Sequence, residues 1–318
     1  MNKRIKNTNP KVNDFRNEVI EGLKMEQKYI NPKFFYDDEG SKLFDLITSL
    51  PEYYPTETEI SILRDRCSEL KGLTDGTEEG IELGSGSGKK GAILLNCLQN
   101  LKKYVLVDIS LSALESALLF ISEKFPEKEF GALCIDYMID DFMGAIDGIA
   151  AGKRLLIFLG STIGNIEPSS AHNFLMECRK HMESGDRLLI GVDLKKDVSV
   201  IEKAYNDSQG ITARFNLNII ERMRKELGVD IPEKAFSHVA FYNKEIGRVE
   251  MHLMCHMDFS IEFQGERIDF RKGETIHTEN SYKYSIGEFE EILHEAGFRR
   301  TTCLTDQRKY YGIFISDP

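Results

Sequence analysis

Ile81-Glu82-Leu83-Gly84-Ser85-Gly86-Ser87-Gly88 decides the fold of this 318-residue chain. A short apolar run ends in glycines at every second position and then opens a helix. Glycines let the backbone turn sharply and approach a ligand that a Cβ would repel. Asp108 ends the next apolar run, Tyr104-Val105-Leu106-Val107-Asp108, 20 residues beyond Gly88. A carboxylate there can accept hydrogen bonds from both hydroxyls of a ribose. Further apolar runs at 130–136, 154–160 and 187–194 alternate with helical spacing at 112–125 and 169–182. Strands alternating with helices predict βαβ units and a parallel, doubly wound α/β sheet of Rossmann-like type.

On the amino side of the loop, 31–59 carries an aromatic cluster, a turn at Asp38-Glu39-Gly40 and the helical spacing Leu43, Phe44, Ile47, Leu50, which should stop before Pro51. A second helix is expected over 59–71. Beyond 196, helices are expected at 198–207 and 213–227. Five strand-like runs then lie within 238–284, separated by turn signals, and read as an antiparallel meander. Ser285 and Glu288 form an S-x-x-E capping box. The runs 300–304 and 310–316 read as a closing hairpin. The expected layout is one domain over 1–195 plus 282–318, interrupted by an α+β substrate-binding insertion over 196–281.

Basic residues number 41 against 52 acidic, a net charge of −11. That sign argues against nucleic acid or anionic membrane as partner. No apolar stretch reaches the roughly 18–20 residues of a membrane helix. The first fifteen residues lack the apolar core of a secretory signal. None of the six cysteines forms a C-x-x-C pair, so reduced, buried thiols in a cytosolic protein are expected. His252, Cys255 and His256 suggest zinc. On a strand, however, the two histidines share a face and the cysteine opposes them, so no metal is expected. A monomer with a small-molecule substrate completes the reading.

Dinucleotide binders favour G-x-G-x-x-G. Here the pattern E-x-G-x-G-x-G, with Glu82, Gly84, Gly86 and Gly88, resembles motif I of S-adenosylmethionine-dependent methyltransferases, and the terminal hairpin resembles that family's last strands. In that reading Asp136, at the end of the third run, meets the adenine amino group and Tyr137 packs on the base. A more specific likeness lies in Phe35-Tyr36-Asp37, Gly40-Ser41, Leu43-Phe44 and Leu50-Pro51-Glu52-Tyr53-Tyr54-Pro55-Thr56-x-x-Glu59. It continues in 158–165, 204–207, Phe215-Asn216-x-Asn218, Glu250-Met251 and Glu279-x-Ser281-x-Lys283-Tyr284. Together these resemble the L-histidine Nα-methyltransferases, which form hercynine in ergothioneine biosynthesis.

The resemblance implies a class I methyltransferase fold with S-adenosylmethionine as cofactor, and Gly160 near it. It implies that Asn165 and Tyr205 hold the substrate carboxylate and that Tyr36 faces the α-amino group. Glu279 and Ser281 then bond the imidazole, Tyr53 touches it, Met251 lines its pocket, and Phe44 and Thr162 lie near substrate and cofactor. Such donors suit the chemistry: an imidazole needs a partner at each ring nitrogen, and losing one in a dry pocket costs roughly 1–3 kcal/mol. Relatives on this scaffold methylate tryptophan derivatives and tyrosine. An Nα-methyltransferase of such an amino acid, a nicotinamide enzyme and a non-catalytic binding protein are the alternatives; Glu279, Ser281 and Met251 together favour histidine.

Overall fold

The computed structural model describes residues 4–8, 15–138, 141–263 and 265–318. In chain order, strand β1 (Arg4–Asn7) precedes helices α1 (Phe15–Lys24), α2 (Asp38–Ile47), α3 (Tyr54–Asp65) and α4 (Cys67–Leu73). An alternation follows: β2 (Glu79–Leu83), α5 (Lys89–Cys97), β3 (Lys103–Asp108), α6 (Leu111–Lys124), β4 (Glu129–Cys134), α7 (Phe142–Asp147), β5 (Arg154–Phe158), α8 (Pro168–Lys180) and β6 (Arg187–Asp193). Helices α9 (Val198–Tyr205) and α10 (Ile211–Arg222) lead to β7 (Phe236–Asn243), β8 (Arg248–Cys255), β9 (Phe259–Phe263), β10 (Glu266–Phe270) and β11 (Thr275–Tyr282). Helix α11 (Ile286–Glu295), β12 (Arg299–Thr305) and β13 (Tyr311–Asp317) close the chain. Much of the segment read as lacking a secretory core, 1–3 and 9–14, lies outside the described residues.

The chain divides into two compact units: Met1–Val12, Glu57–Lys195 and Tyr284–Pro318 in one, Asn13–Thr56 and Lys196–Lys283 in the other. The first is built on one sheet with strand order β1-β4-β3-β2-β5-β6-β13-β12. Strands β1 to β6 run parallel, and β13 is antiparallel to both neighbours. This is the Rossmann-like arrangement expected. Its inner strands are buried and mostly apolar, as in Tyr104-Val105-Leu106-Val107 of β3 and Leu155-Leu156-Ile157-Phe158 of β5, because helices cover both faces. Leu106 and Ala132 meet Leu94, Leu95, Leu114, Ala117 and Ile121 of α5 and α6 in one core, each fully buried leucine contributing roughly 1.5–3 kcal/mol. Ser110 caps α6 by accepting from Ala113 N, and the Ser285–Glu288 capping box opens α11 as its sequence requires.

One expectation about the thiols is corrected. Cys67 opens α4 and Cys97 closes α5, and these helix ends bring their Cα atoms to 5.5 Å, where the two cysteines form a disulfide. Cys134, Cys178, Cys255 and Cys303 are free. Among the described residues, no helix is long and apolar enough to cross a membrane.

The second unit holds a three-stranded antiparallel sheet, β11-β8-β7, and a separate β9–β10 hairpin. The expected single meander is therefore broken. Strand β8 takes a partner on each side, β7 and β11, which leaves β9 and β10 to pair with each other. The hairpin attaches through rings: Phe270 stacks on Phe259 at 4.8 Å and meets Phe236 edge-on at 5.5 Å. Helix α10 is locked to the sheet by Asn216, fully buried, which donates to the His252 carbonyl at 3.0 Å and accepts from the Thr278 hydroxyl at 2.8 Å.

The unit also contains 13–56, which the sequence reading assigned to the nucleotide domain. The reason is packing on α10. Phe35 lies 4.6 Å from Phe215 ring to ring, Asn218 Nδ2 donates to Asp37 Oδ1 at 2.8 Å, and Arg222 donates to the Phe34 carbonyl.

Candidate active site

In the first unit, every sequence-selected residue lies at or beside the carboxyl ends of the parallel strands β2 to β5, where strand order reverses on either side of β2. That edge is where open α/β sheets bind ligands. The alternating glycines have separate reasons. Gly84, Gly86 and Gly88 have φ of 65°, 48° and 71°, a region costly for residues with a Cβ. At Gly88 a Cβ would also press Ala117 of α6 at 3.3 Å, whereas at Gly86 it would meet nothing within 4 Å. Gly86 thus leaves an open cradle over the loop. Beside it, Ser85 Oγ is buried without a hydrogen-bond partner among the described residues. An orphan hydroxyl at an open cradle fits a polar, ribose-bearing ligand.

Asp108 is aimed at this loop. Its Oδ2 accepts from Gly86 N at 2.9 Å and its Oδ1 from Ser110 N at 3.0 Å. Each carboxylate oxygen keeps a further lone pair for a ligand hydroxyl. Burial raises its pKa against the pull of those backbone donors. Asp136, just past β4, accepts from Met138 N at 3.0 Å. The Tyr137 ring packs among Phe142, Phe158 and Phe174 at 5.8–6.3 Å. Glu82 sits beneath the loop: its Oε2 accepts from Tyr104 Oη at 3.1 Å, and burial pushes it up to about 8 while Lys90 pulls it down. Gly160 has φ 83°, Thr162 Oγ1 donates to the Leu159 carbonyl at 3.0 Å, and Asn165 ends the 3-10 turn Thr162–Asn165.

Sequence reading gave Glu59 no role, yet its fully buried carboxylate pins the Gly160 turn. It accepts from Gly160 N at 2.9 and 3.1 Å, from Tyr311 Oη at 2.6 Å and from Lys90 Nζ at 2.6 Å. No local signal set it apart: it ends the polar run Thr56-Glu57-Thr58-Glu59 of α3, where Glu57 is of the same type. A cleft of about 390 Å³ in this unit lies at the opposite, amino ends of β5 and β6 and is lined by the ion-paired Asp147, Arg154, His181 and Asp186.

In the second unit, the selected residues form one connected set. Tyr36 meets Phe44 at 5.6 Å, Phe44 meets Tyr53 at 6.3 Å, and Tyr53 meets Tyr205 at 6.4 Å, all edge-on. Phe215, not selected from sequence, lies 5.9 Å from both Tyr36 and Phe44. Tyr205 Oη donates to Ser281 Oγ at 2.8 Å. Glu279 is paired in register with buried Met251 across β11 and β8, one residue after a β-bulge that re-aims the strand. Burial pushes Glu279 up to about 7, with the Lys283 charge pulling it down. Lys283, the other residue sequence reading left without a role, donates to Ser281 Oγ at 2.7 Å and to Tyr205 Oη at 3.1 Å. Its signal was period 2: positions 279, 281 and 283 share one face of a strand.

The trio His252, Cys255 and His256 does not assemble: His256 Nε2 bonds Ser237 Oγ and Cys255 Sγ donates to the Met257 carbonyl. His252 instead gathers with Glu250 and His277, donor atoms within 4.8 Å of one another. Arg248 occupies one Glu250 oxygen at 2.9 Å, and the two imidazoles are stacked at 4.6 Å and 14°. Imidazole lone pairs lie in the ring plane, so parallel stacked rings do not converge on one point. The arrangement is a packing ladder that Phe241 continues at 5.5 Å.

The family model of histidine-specific, S-adenosylmethionine-dependent methyltransferases matches residues 15–318. The chain is 38% identical over 306 residues to a histidine N-alpha-methyltransferase of Mycolicibacterium smegmatis, spanning 95% of this chain and 94% of that protein. It is 36% identical to the protein of the same name from Mycobacterium tuberculosis, with the same coverage. Ergothioneine biosynthesis protein 1 of Neurospora crassa is 33% identical over 86% of this chain, a match spanning 32% of that longer protein.

Proposed function

The chain belongs to the family of histidine-specific, S-adenosylmethionine-dependent methyltransferases, and from that premise we propose how its residues divide the work. The enzyme transfers methyl groups from S-adenosylmethionine to the α-amino group of L-histidine, up to the trimethylated product hercynine, as in ergothioneine biosynthesis. The first unit holds the cofactor: the Gly84–Gly86–Gly88 loop gives its backbone room, Asp108 takes the ribose hydroxyls, and Asp136 and Tyr137 receive the adenine. The residues assigned to the amino acid lie in the second unit, apart from Thr162 and Asn165 of the first. The observation that carries this assignment is a half-buried carboxylate, Glu279, on the unit's last strand, with the Ser281 hydroxyl two residues further on and bonded at 2.8 Å to the Tyr205 hydroxyl at the end of α9. Those groups offer one acceptor for an imidazole N–H and donors for a ring lone pair and a carboxylate.

When bound, the cofactor supplies an electrophilic methyl group on a sulfonium. The residues orient rather than ionise. Tyr36 directs the amine lone pair, Asn165 and Tyr205 fix the carboxylate, and Glu279 and Ser281 fix the ring, so the nitrogen stays in place as it grows. Each of the first two products regains a lone pair by losing a proton to water; the third cannot, and the sequence of transfers stops. A single chain in the cytoplasm, with a small-molecule substrate and no metal, completes the proposal. The test is competition among the twenty amino acids for labelled methyl groups. Histidine should outcompete the rest. Preference for tryptophan or tyrosine would keep the methyltransferase and overturn the role given to Glu279.

A further inference from the structure

Lys283 is nearly fully buried, 2% exposed, and its ammonium donates to two hydroxyl oxygens, Ser281 Oγ at 2.7 Å and Tyr205 Oη at 3.1 Å. Its charge also lies over the Tyr205 ring, 5.1 Å from the centroid. An ammonium can only donate. Each hydroxyl oxygen therefore gives up a lone pair to Lys283 and keeps its proton for another acceptor. Without substrate, the phenol, the more acidic of the two, rests its proton on Ser281 Oγ at 2.8 Å. Ser281 then has both lone pairs engaged and one proton left to give.

We propose that Lys283 is a positioning residue that turns Ser281 and Tyr205 into donors toward the substrate, so that the site takes a neutral imidazole, one nitrogen protonated and the other bare. This rests on the histidine reading above. A neutral histidine side chain offers one N–H, matched by Glu279, and one lone pair, matched by Ser281. Its carboxylate takes the proton of Tyr205. A ring protonated at both nitrogens would bring a second positive charge up to a hydroxyl that already accepts from the buried Lys283 ammonium at 2.7 Å, so like charges would face each other across Ser281 in a site where burial makes that costly. Specificity then comes from a mismatch as well as a match.

The test combines kinetics of Lys283→Met, Ser281→Ala and the double variant with binding of substrate analogues to the wild type. Lys283→Met should raise the KM for histidine about 10- to 100-fold, as expected for losing a charged donor, with kcat nearly unchanged. In the Ser281→Ala background the same change should cost far less, because residues acting as a unit are not additive. Additive losses, or a loss confined to kcat, would overturn the proposal. A purely structural lysine would lower the melting temperature and cost the same in both backgrounds. The analogue arm does not depend on variants folding. 3-(Thiazol-4-yl)alanine has a ring lone pair and no N–H, so it should bind the wild type about tenfold more tightly than phenylalanine. Equal binding would refute an obligate donor at Ser281. If the wild type leaves histidine unmethylated, the histidine reading itself has failed; methylation with additive variants leaves that reading intact and removes only Lys283.

Discussion

Glu279 carries a charge where the fold makes charge costly, and two consequences follow. Its pKa stands at about 7 against a reference of 4.5 because burial outweighs the attraction of Lys283. The folded protein thus holds this proton more tightly than the unfolded chain. Stability from the protonated form is full below pH 4.5 and is lost as pH rises through about 7. Glu279→Gln should accordingly melt at higher temperature than the wild type at pH 8, by on the order of 3 kcal/mol in stability, and show little gain near pH 5. Equal gains at both values would mean that the carboxylate is not desolvated. The second consequence is specificity. Phenylalanine offers no N–H and would strand the carboxylate, a kind of mismatch that can discriminate by roughly 10⁴-fold. Glu279→Ala should lower kcat/KM for histidine heavily and narrow the gap to tryptophan, whose indole then finds a neutral, larger pocket. An unchanged histidine-to-tryptophan ratio would remove Glu279 from ring recognition.

Among elements, the glycine loop separates conformational need from ligand need. Gly86 has φ 48° and open space on its Cβ side. Gly86→Ala should therefore cost about 1–2 kcal/mol of backbone strain. It should weaken S-adenosylhomocysteine binding, measured by calorimetry, by more than that, because the methyl enters the cradle. A stability loss without an affinity loss would place the ligand elsewhere. Elements of this kind were legible in the sequence: strands β2 to β6 lie within two residues of the apolar runs, and Asp108 ends β3 as its spacing required. Strand β1 was not legible. It pairs with β4 at the sheet edge, and although Ile5 packs on the core, Lys6 and Asn7 are exposed, so no apolar alternation marks it in the sequence. Helix α1 had a signal in Phe15, Val19, Ile20 and Leu23, all buried, diluted by the polar residues around them. No local pattern says that β11 returns to β8 past a hairpin, because pairing partners are set by the whole sheet.

At the scale of the molecule, the family and the chemistry were readable from long irregular motifs such as Phe35-Tyr36-Asp37 and Glu279-x-Ser281. The division of the chain was not. The segment 13–56 joins the substrate unit through Asp37, Phe35 and Phe34 meeting α10, contacts nearly two hundred residues apart in sequence that spacing cannot reveal. The Cys67–Cys97 disulfide is of the same kind: two helix ends meet in space without a sequence motif. The central claim is methylation of the histidine α-nitrogen, and product analysis from L-histidine with isotopically labelled S-adenosylmethionine tests it most directly. The account predicts mono-, di- and then trimethylhistidine appearing in succession, with fragmentation placing every label on the α-nitrogen. Label on the imidazole ring, or no labelled histidine at all while another amino acid is methylated, would contradict it.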